Sequence, residues 1–270
     1  MNVAISPISI WSVLALLREG AGGKTQLQLQ KALHLIESTK DVRTTFRKVD
    51  SVLHDQNKGV EMDNAGAVFT DGTRPLKWQF EYLAEKIYQA NVFPVNFSNP
   101  SVTVRYINRW VANITHNNIE QLVHEDDMKD PHLVIANGLF FKGQWATPFN
   151  VSNTSREKFY DDKGDELGEV MMMKIRDHFR YSYMSQLGAK IVELPYQGGQ
   201  YSMFVMVPTS NTTLDIVLER LSMQPMEKIY DRLVAEDEEY PEAVIDVQLP
   251  RVVIHSDYVL NKALESVSSI

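Results

Sequence analysis

Nothing in this sequence constrains its folding more than the run from Leu133 to Phe149, LVIANGLFFKGQWATPF. Its first nine residues carry no charge and one polar side chain, Asn137, among the bulky Leu133, Val134, Ile135, Leu139, Phe140 and Phe141. A strand with one wet face alternates apolar and polar residues. This one does not, so it reads as a strand buried on both faces, at the centre of a large sheet. An amide in such a run costs about 1–3 kcal/mol unless it finds partners. Asn137 is therefore either a satisfied core polar group or part of a hydrogen-bonded device. Lys142-Gly143 marks the strand's exit, and Trp145, Pro148 and Phe149 follow as an aromatic-rich return.

The 270 residues, 44% hydrophobic and 10% aromatic, can bury a sizeable core. No Ser/Gly-rich linker, low-complexity tract or internal repeat divides them, so no domain boundary is placed and residues 1–270 are read as one domain. A formal net charge of −8 argues against a nucleic-acid or anionic-membrane partner, both of which call for a basic excess. No apolar stretch is long enough to cross a bilayer. The apolar opening from Val3 to Leu17 lacks the basic n-region of a secretion signal and contains Pro7 and two serines, so it reads as folded chain. Cysteine is absent, which excludes disulfides, thiolate metal sites and thiol chemistry. Glycosylation sequons stand at Asn96, Asn113, Asn150, Asn153 and Asn211. Composition alone leaves the compartment open.

Along the chain, Ser6-Pro7 is a helix start, with Ser6 as N-cap and Pro7 at N1. The helix is expected to reach Arg18 and stop at Gly20-Ala21-Gly22-Gly23. Thr25 then caps a second helix with Leu27, Leu29 and Leu33 on its apolar face. The segment GAGGKT fails as a phosphate loop: Arg18 stands where the first glycine of G-x-x-x-x-G-K-S/T belongs, and a helix precedes it. Asp41 to His54 reads as a helix with Phe46, Val49 and Leu53 inward and Arg43, Arg47 and Lys48 outward, either a solvated face or a polyanion contact. Val60 to Phe69 is a strand turned by Asp71-Gly72. Leu76 to Ala90 is amphipathic, with Phe80, Leu83, Ile87 and Trp78 facing inward. A short strand at Asn91 to Val95 precedes a helix from Pro100 to Thr115, with Val104, Ile107, Trp110, Val111 and Ile114 on one stripe.

After Phe149 the pattern becomes strand-dominated: Glu157 to Tyr160, Glu169 to Met173, His178 to Tyr183, Ala189 to Tyr196 and Tyr201 to Pro208, with a hairpin at Gln197-Gly198-Gly199. Helices are expected at Leu214 to Leu221 and Pro225 to Val234, followed by an acidic loop, Glu236 to Glu239. Two strands bent at Pro250, Glu242 to Leu249 and Arg251 to His255, lead to a final helix from Tyr258 to Ser266. Enzymatic motifs are lacking: there is no G-x-S-x-G elbow or H-E-x-x-H pair, and the seven histidines lack ligand spacing. His124 with Glu125, Asp126 and Asp127 is the nearest approach to a metal cluster, and an exposed acidic loop accounts for it.

Several of these segments resemble, in order and spacing, the motifs of the serpin family. Asn2 to Ile10 is similar to N-x-x-x-S-P-x-S-I at the start of the family's helix B, and Gly20-Ala21 to Thr25 to the corner after it. Asn99 to Ile119, with Ile107-Asn108-Arg109-Trp110-Val111, resembles helix F. Glu169 to Met173 resembles E-V-x-M-M, and Leu194-Pro195-Tyr196 and Leu249-Pro250 extend the likeness to nearly the whole length. Gly66 departs from the family, which usually has Asn there in its A-N-A-L-F strand, and this puts one interior hydrogen bond in doubt.

The resemblance implies an α+β fold, a large mixed sheet with helices packed on it and smaller antiparallel sheets. It implies a protease inhibitor rather than an enzyme, with no catalytic residue, cofactor or metal. A serpin offers a reactive-centre loop to a serine or cysteine protease, and the cleaved loop inserts into the large sheet, itself a known instance of strand addition. By resemblance Ser6, Ser9 and Asn137 form the shutter, polar contacts that break and reform as the sheet opens, and Trp145 lies at the breach where the loop enters. Against the family's pattern the sequence stops at Ile270, before the hinge, bait loop and last strands, and it lacks the first helix. This implies an incomplete, truncated domain that does not trap a protease by itself. The expected protein is a monomeric, secreted, extracellular glycoprotein that binds neither nucleic acid nor membrane. A non-inhibitory serpin, acting as carrier, chaperone or partner-binding protein, is the alternative.

Overall fold

The computed structural model of the protein describes residues 4–35, 38–53, 59–129, 131, 133–161 and 164–254. Its contacts divide the chain into two compact units, one holding the described residues up to Lys142 other than Gly59 and Val60, together with Ile254, and the other Gly59, Val60 and Gly143 to Val253. His255, the expected final helix at Tyr258 to Ser266, and His54 lie outside the described residues, as do Asn2 and Val3 of the opening motif.

In the first unit, α1 (Pro7–Gly20) begins as expected, with the Ser6 side chain accepting from the Ser9 amide. The second helix, α2 (Gly23–Ala32), has Gly22 rather than Thr25 at its N-cap, and Gly23, its first residue, takes a φ of +56° that turns the chain into the helix early. Its apolar face is also narrower: Leu29 is buried, whereas Leu27 is exposed. The next helix, α3 (Thr39–Leu53), buries Val42 and Phe46. Arg43 is not outward-facing. It reaches back to both oxygens of Glu19, each at 2.9 Å, and the Glu19 side chain is only 4% exposed.

β1 (Val60–Asp71), α4 (Trp78–Lys86), β2 (Ala90–Val95), α5 (Pro100–Ile114), a short 3₁₀ turn (Glu125–Met128) and β3 (Leu133–Gly143) complete the unit. Trp78 is 70% exposed, contrary to expectation. At about 100° per residue it sits on the opposite side of α4 from Phe80, which packs inward with Leu83 and Ile87.

The sheet runs β2-β1-β3, with β1 and β2 parallel and Gly66 opposite Ala90. The apolar run around Asn137 is therefore not at the centre of the sheet that the described residues form. Among the described residues the sheet has three strands, and β3 lies at its margin. Its apolar character comes from cover on both faces. Leu133 and Ile135 pack toward α1, α3 and α4 with Val68, while Val134 and Ala136 pack toward α5 with Ala67 and Phe69. Patterning reports which faces are covered and says nothing about neighbours in the plane of the sheet. Burial does distinguish the strands: Ala67, Val68 and Phe69 of central β1 are 0% exposed, while most of β3 is half-buried.

The second unit contains β4 (Ser155–Tyr160), β5 (Glu166–Asp177), β6 (Tyr181–Met184), β7 (Ala189–Pro195), β8 (Ser202–Pro208), α6 (Leu214–Ser222), α7 (Met226–Glu239) and β9 (Ile245–Arg251). They form two antiparallel sheets, β4-β5-β9 and β6-β7-β8. β7 faces both ways: Ile191 joins α6 and α7 through Val217, Ile229 and Leu233, while Val192 and Leu194 pack against Val247 and Phe179. The expected acidic loop is instead the last turn of α7, where Glu236 pairs with Arg232 at i,i+4. β9 runs through Pro250 unbroken, because on an edge strand the missing N–H can face outward. The hairpin at Gly198 and Gly199 is present, both with positive φ.

Candidate functional site

The polar side chains of the proposed opening device belong to three elements of the first unit. Ser6 and Ser9 lie at the start of α1, with their Oγ atoms 2.8 Å apart. Asn137 projects from β3 toward α1 and donates from Nδ2 to Asn64 Oδ1 on β1 at 3.1 Å. Its own Oδ1 is buried and faces no protein donor. Around this amide lies a cavity of about 20 Å³ bordered by Ser12, Asp50, Asn64, Gly66 and Asn137, enough for a water molecule. Ser12, one turn on from Ser9, thus brings α1 to Asn137, and its hydroxyl donates to Ile8 O at 2.7 Å.

A side-chain hydrogen bond from β1 to Asn137 is made by Asn64, two residues before Gly66. Residues i and i+2 of a strand share a face, so Asn64 presents its amide on the same side as position 66. Gly66 itself packs tightly: a Cβ added there would lie 3.1 Å from Ala90 Cβ. Asn64 and Ser12 were missed in the sequence, although period-two spacing from Gly66 and helical spacing from Ser9 point to them.

On the other face α5 is seated on the sheet. Phe69 meets Phe93, Tyr106 and Trp110 at ring-centroid distances of 5.5, 6.2 and 5.8 Å. A Cβ at Gly138 would come within 3.0 Å of Ile114 on α5. Just past the helix, His116 stacks on Phe140 of β3 at 4.3 Å and places Nε2 2.6 Å from Asp63 Oδ2 on β1. Glu61, Asp63 and His116 are the one group among the described residues whose ligand atoms lie within 4.8 Å of each other, and all three are exposed. The His124 segment is structural: Asp127 accepts from the His124 backbone amide at 2.7 Å, and Glu125 bonds Ser101.

In the second unit Trp145 lies flat against Tyr196 at 4.6 Å and 11°, and the two backbones form an antiparallel bridge. Gln144 bonds Gly59 on one side and Gln197 on the other, at 2.7 and 2.8 Å. Gly143 makes this possible, since a Cβ there would stand 2.4 Å from the Tyr196 ring. Burial pushes the Tyr196 phenol up from its ordinary titration range. All five sequon asparagines are exposed. Asn96 accepts from the Ser98 amide and Asn150 from the amide and hydroxyl of Ser152, whereas the Thr115 hydroxyl of the Asn113 sequon is turned inward to Val111 O at 2.8 Å. No helix among the described residues is long and apolar enough to cross a membrane.

The Serpin (serine protease inhibitor) family model matches residues 1–268. The chain belongs to the serpin family. Among curated relatives of this serpin, leukocyte elastase inhibitor A of Mus musculus is 32% identical over 97% of this chain and 69% of that protein. Serpin B3 of Homo sapiens is 28% identical over 100% and 72%. Serpin-12 of Manduca sexta superposes with a TM-score of 0.85 at 26% identity, covering 96% of this chain and 71% of that one. Cleaved kallistatin gives a TM-score of 0.87 at 24% identity over 99% and 78%, a likeness of fold. The α+β serpin fold expected from the sequence is therefore present.

Proposed function

We propose that this serpin acts as a serine protease inhibitor, by accepting a cleaved bait loop as an added strand along the outer edge of β3. The observation that carries this reading is the edge itself. β3 pairs with β1 on one side, and among the described residues no strand runs along the other. Both faces of β3 are nonetheless packed, so an incoming strand meets backbone N–H and C=O groups between prepared apolar layers. Relatives named as leukocyte elastase inhibitors support an elastase-like serine protease as target; a cysteine protease is the second class that the family resemblance implies.

In this reading Ser6, Ser9 and Asn137 form the shutter, with Ser12 and Asn64 as further members, and Trp145 on Tyr196 marks the breach. The protein is a monomer, and its exposed sequons carry glycans in a secreted product. The test is to incubate the protein, purified from its natural source, with a panel of elastase-, chymotrypsin- and trypsin-like proteases. The expected product is a 1:1 adduct that survives boiling in detergent. Cleavage without an adduct across the panel would replace inhibition with the carrier or chaperone reading. Mass spectrometry of the same material is expected to find sugar on Asn113 and at other sequons; bare asparagines at all five would place the protein inside the cell.

A further inference from the structure

The second unit has a hollow of about 360 Å³ where the end of α7 meets β6 and the start of β9. This is within the range of small-molecule sites, roughly 300–1,000 Å³. Its walls are Phe179, Tyr181, Tyr183 and Tyr240, with Glu236 and Asp237 beside them. We propose that this hollow binds a small organic cation of the quaternary or alkylated ammonium class.

The rings make a cation preferable to a neutral guest, because the face of an aromatic ring carries partial negative charge and attracts an ammonium group as it leaves water. The surrounding charge has the same sign. The last turn of α7 carries Glu236, Asp237, Glu238 and Glu239 and no basic residue. A helix C-terminus already bears partial negative charge, so this placement is unfavourable by itself and eases when a cation sits alongside. Nearby cations offset it only in part. Arg232 is paired with Glu236, and Arg180 is shared between Glu193 and Asp237, which also faces His178 Nε2 at 3.0 Å. Residual negative field shows at the tyrosines: a hydrogen bond to Glu239, then its charge and that of Glu236, hold the Tyr240 phenol above its ordinary range, and burial followed by Glu236 does so for Tyr181.

The probe is choline, with 3,3-dimethylbutan-1-ol as its uncharged isostere, each titrated by calorimetry against the 270-residue protein. Choline is expected to bind about tenfold more tightly than the alcohol, a ratio that shrinks as salt is raised. Tyr240→Ala and Tyr183→Ala, both at exposed positions, should each weaken choline several-fold without lowering the unfolding midpoint. Arg232→Gln distinguishes charge from shape, because it removes a competing cation and should tighten choline binding, whereas Glu236→Gln should loosen it. Equal affinity for the two probes, no choline binding, or weaker binding in Arg232→Gln would overturn the proposal. None of these outcomes depends on protease inhibition.

Discussion

Asn137 on β3 and Asn64 on β1 are joined side chain to side chain, Nδ2 to Oδ1, at 3.1 Å. The bond ties the two strands on the face toward α1 with polar groups, beside a cavity of about 20 Å³. Asn64→Ala would leave the Asn137 amide without its acceptor and is expected to cost about 1–2 kcal/mol. Asn137→Ala should cost a similar amount, and the double variant clearly less than their sum, read from urea unfolding midpoints. Additive losses would show that the two amides act independently.

Gly143 lies against the Tyr196 ring, where an added Cβ would be 2.4 Å away. Gly143→Ala is expected to destabilise the protein by about 1–3 kcal/mol through overpacking. Combining it with Tyr196→Ala should add little to the loss from Tyr196→Ala alone, because the obstructing ring is gone. Tryptophan fluorescence would follow the Trp145 environment in each variant.

Tyr88 is buried and donates to Glu19 Oε1 at 3.1 Å. Burial first, then the Glu19 charge, pushes its phenol well above its ordinary value of 10.0. The folded protein therefore keeps this proton at a pH where the unfolded chain releases it. The contribution is full below about pH 10 and is lost as the solution becomes more alkaline. Tyr88→Phe is expected to cost about 1 kcal/mol at neutral pH and to flatten the fall in stability above pH 10, measured by unfolding across pH 8–11.

His116 connects the end of α5 to two of the strands it covers, β3 through Phe140 and β1 through Asp63. His116 and Asp63 are exposed, so His116→Ala should lower global stability by less than about 1 kcal/mol. Its larger effect is expected locally, as faster amide exchange over Val111 to Thr115, with the rest of α5 unchanged. Uniform change along the helix would contradict an anchoring role.

Much of the local structure was legible in order along the chain. Ser6-Pro7 announced α1 and Asn99-Pro100 α5, because a capping oxygen followed by proline satisfies the orphan amides of a first turn. The apolar stripe of α5 and the two-sided burial of β3 could be read from side-chain periodicity. Where reading failed, the deciding partner was distant in sequence. Arg43 seemed a surface base until Glu19, 24 residues away, took it inward. Thr25 was a reasonable cap until the backbone of Gly23 turned earlier. Glu236 to Glu239 looked like a loop because charge runs usually mark one, but Ile229 and Leu233 anchor α7 firmly enough to carry the acidic turn on as helix.

The sequence by itself determined which segments become helix or strand, which faces they bury, and membership of the serpin family, because these depend on periodicity, capping and ordered motifs. Tertiary structure alone decided that among the described residues β1 takes the centre of the sheet and β3 its margin, that Asn64 supplies the acceptor for Asn137, and that four aromatic rings and two carboxylates gather around one hollow. Each of these requires groups far apart in the chain to meet, and no local pattern encodes which partner a strand edge or a side-chain amide will find.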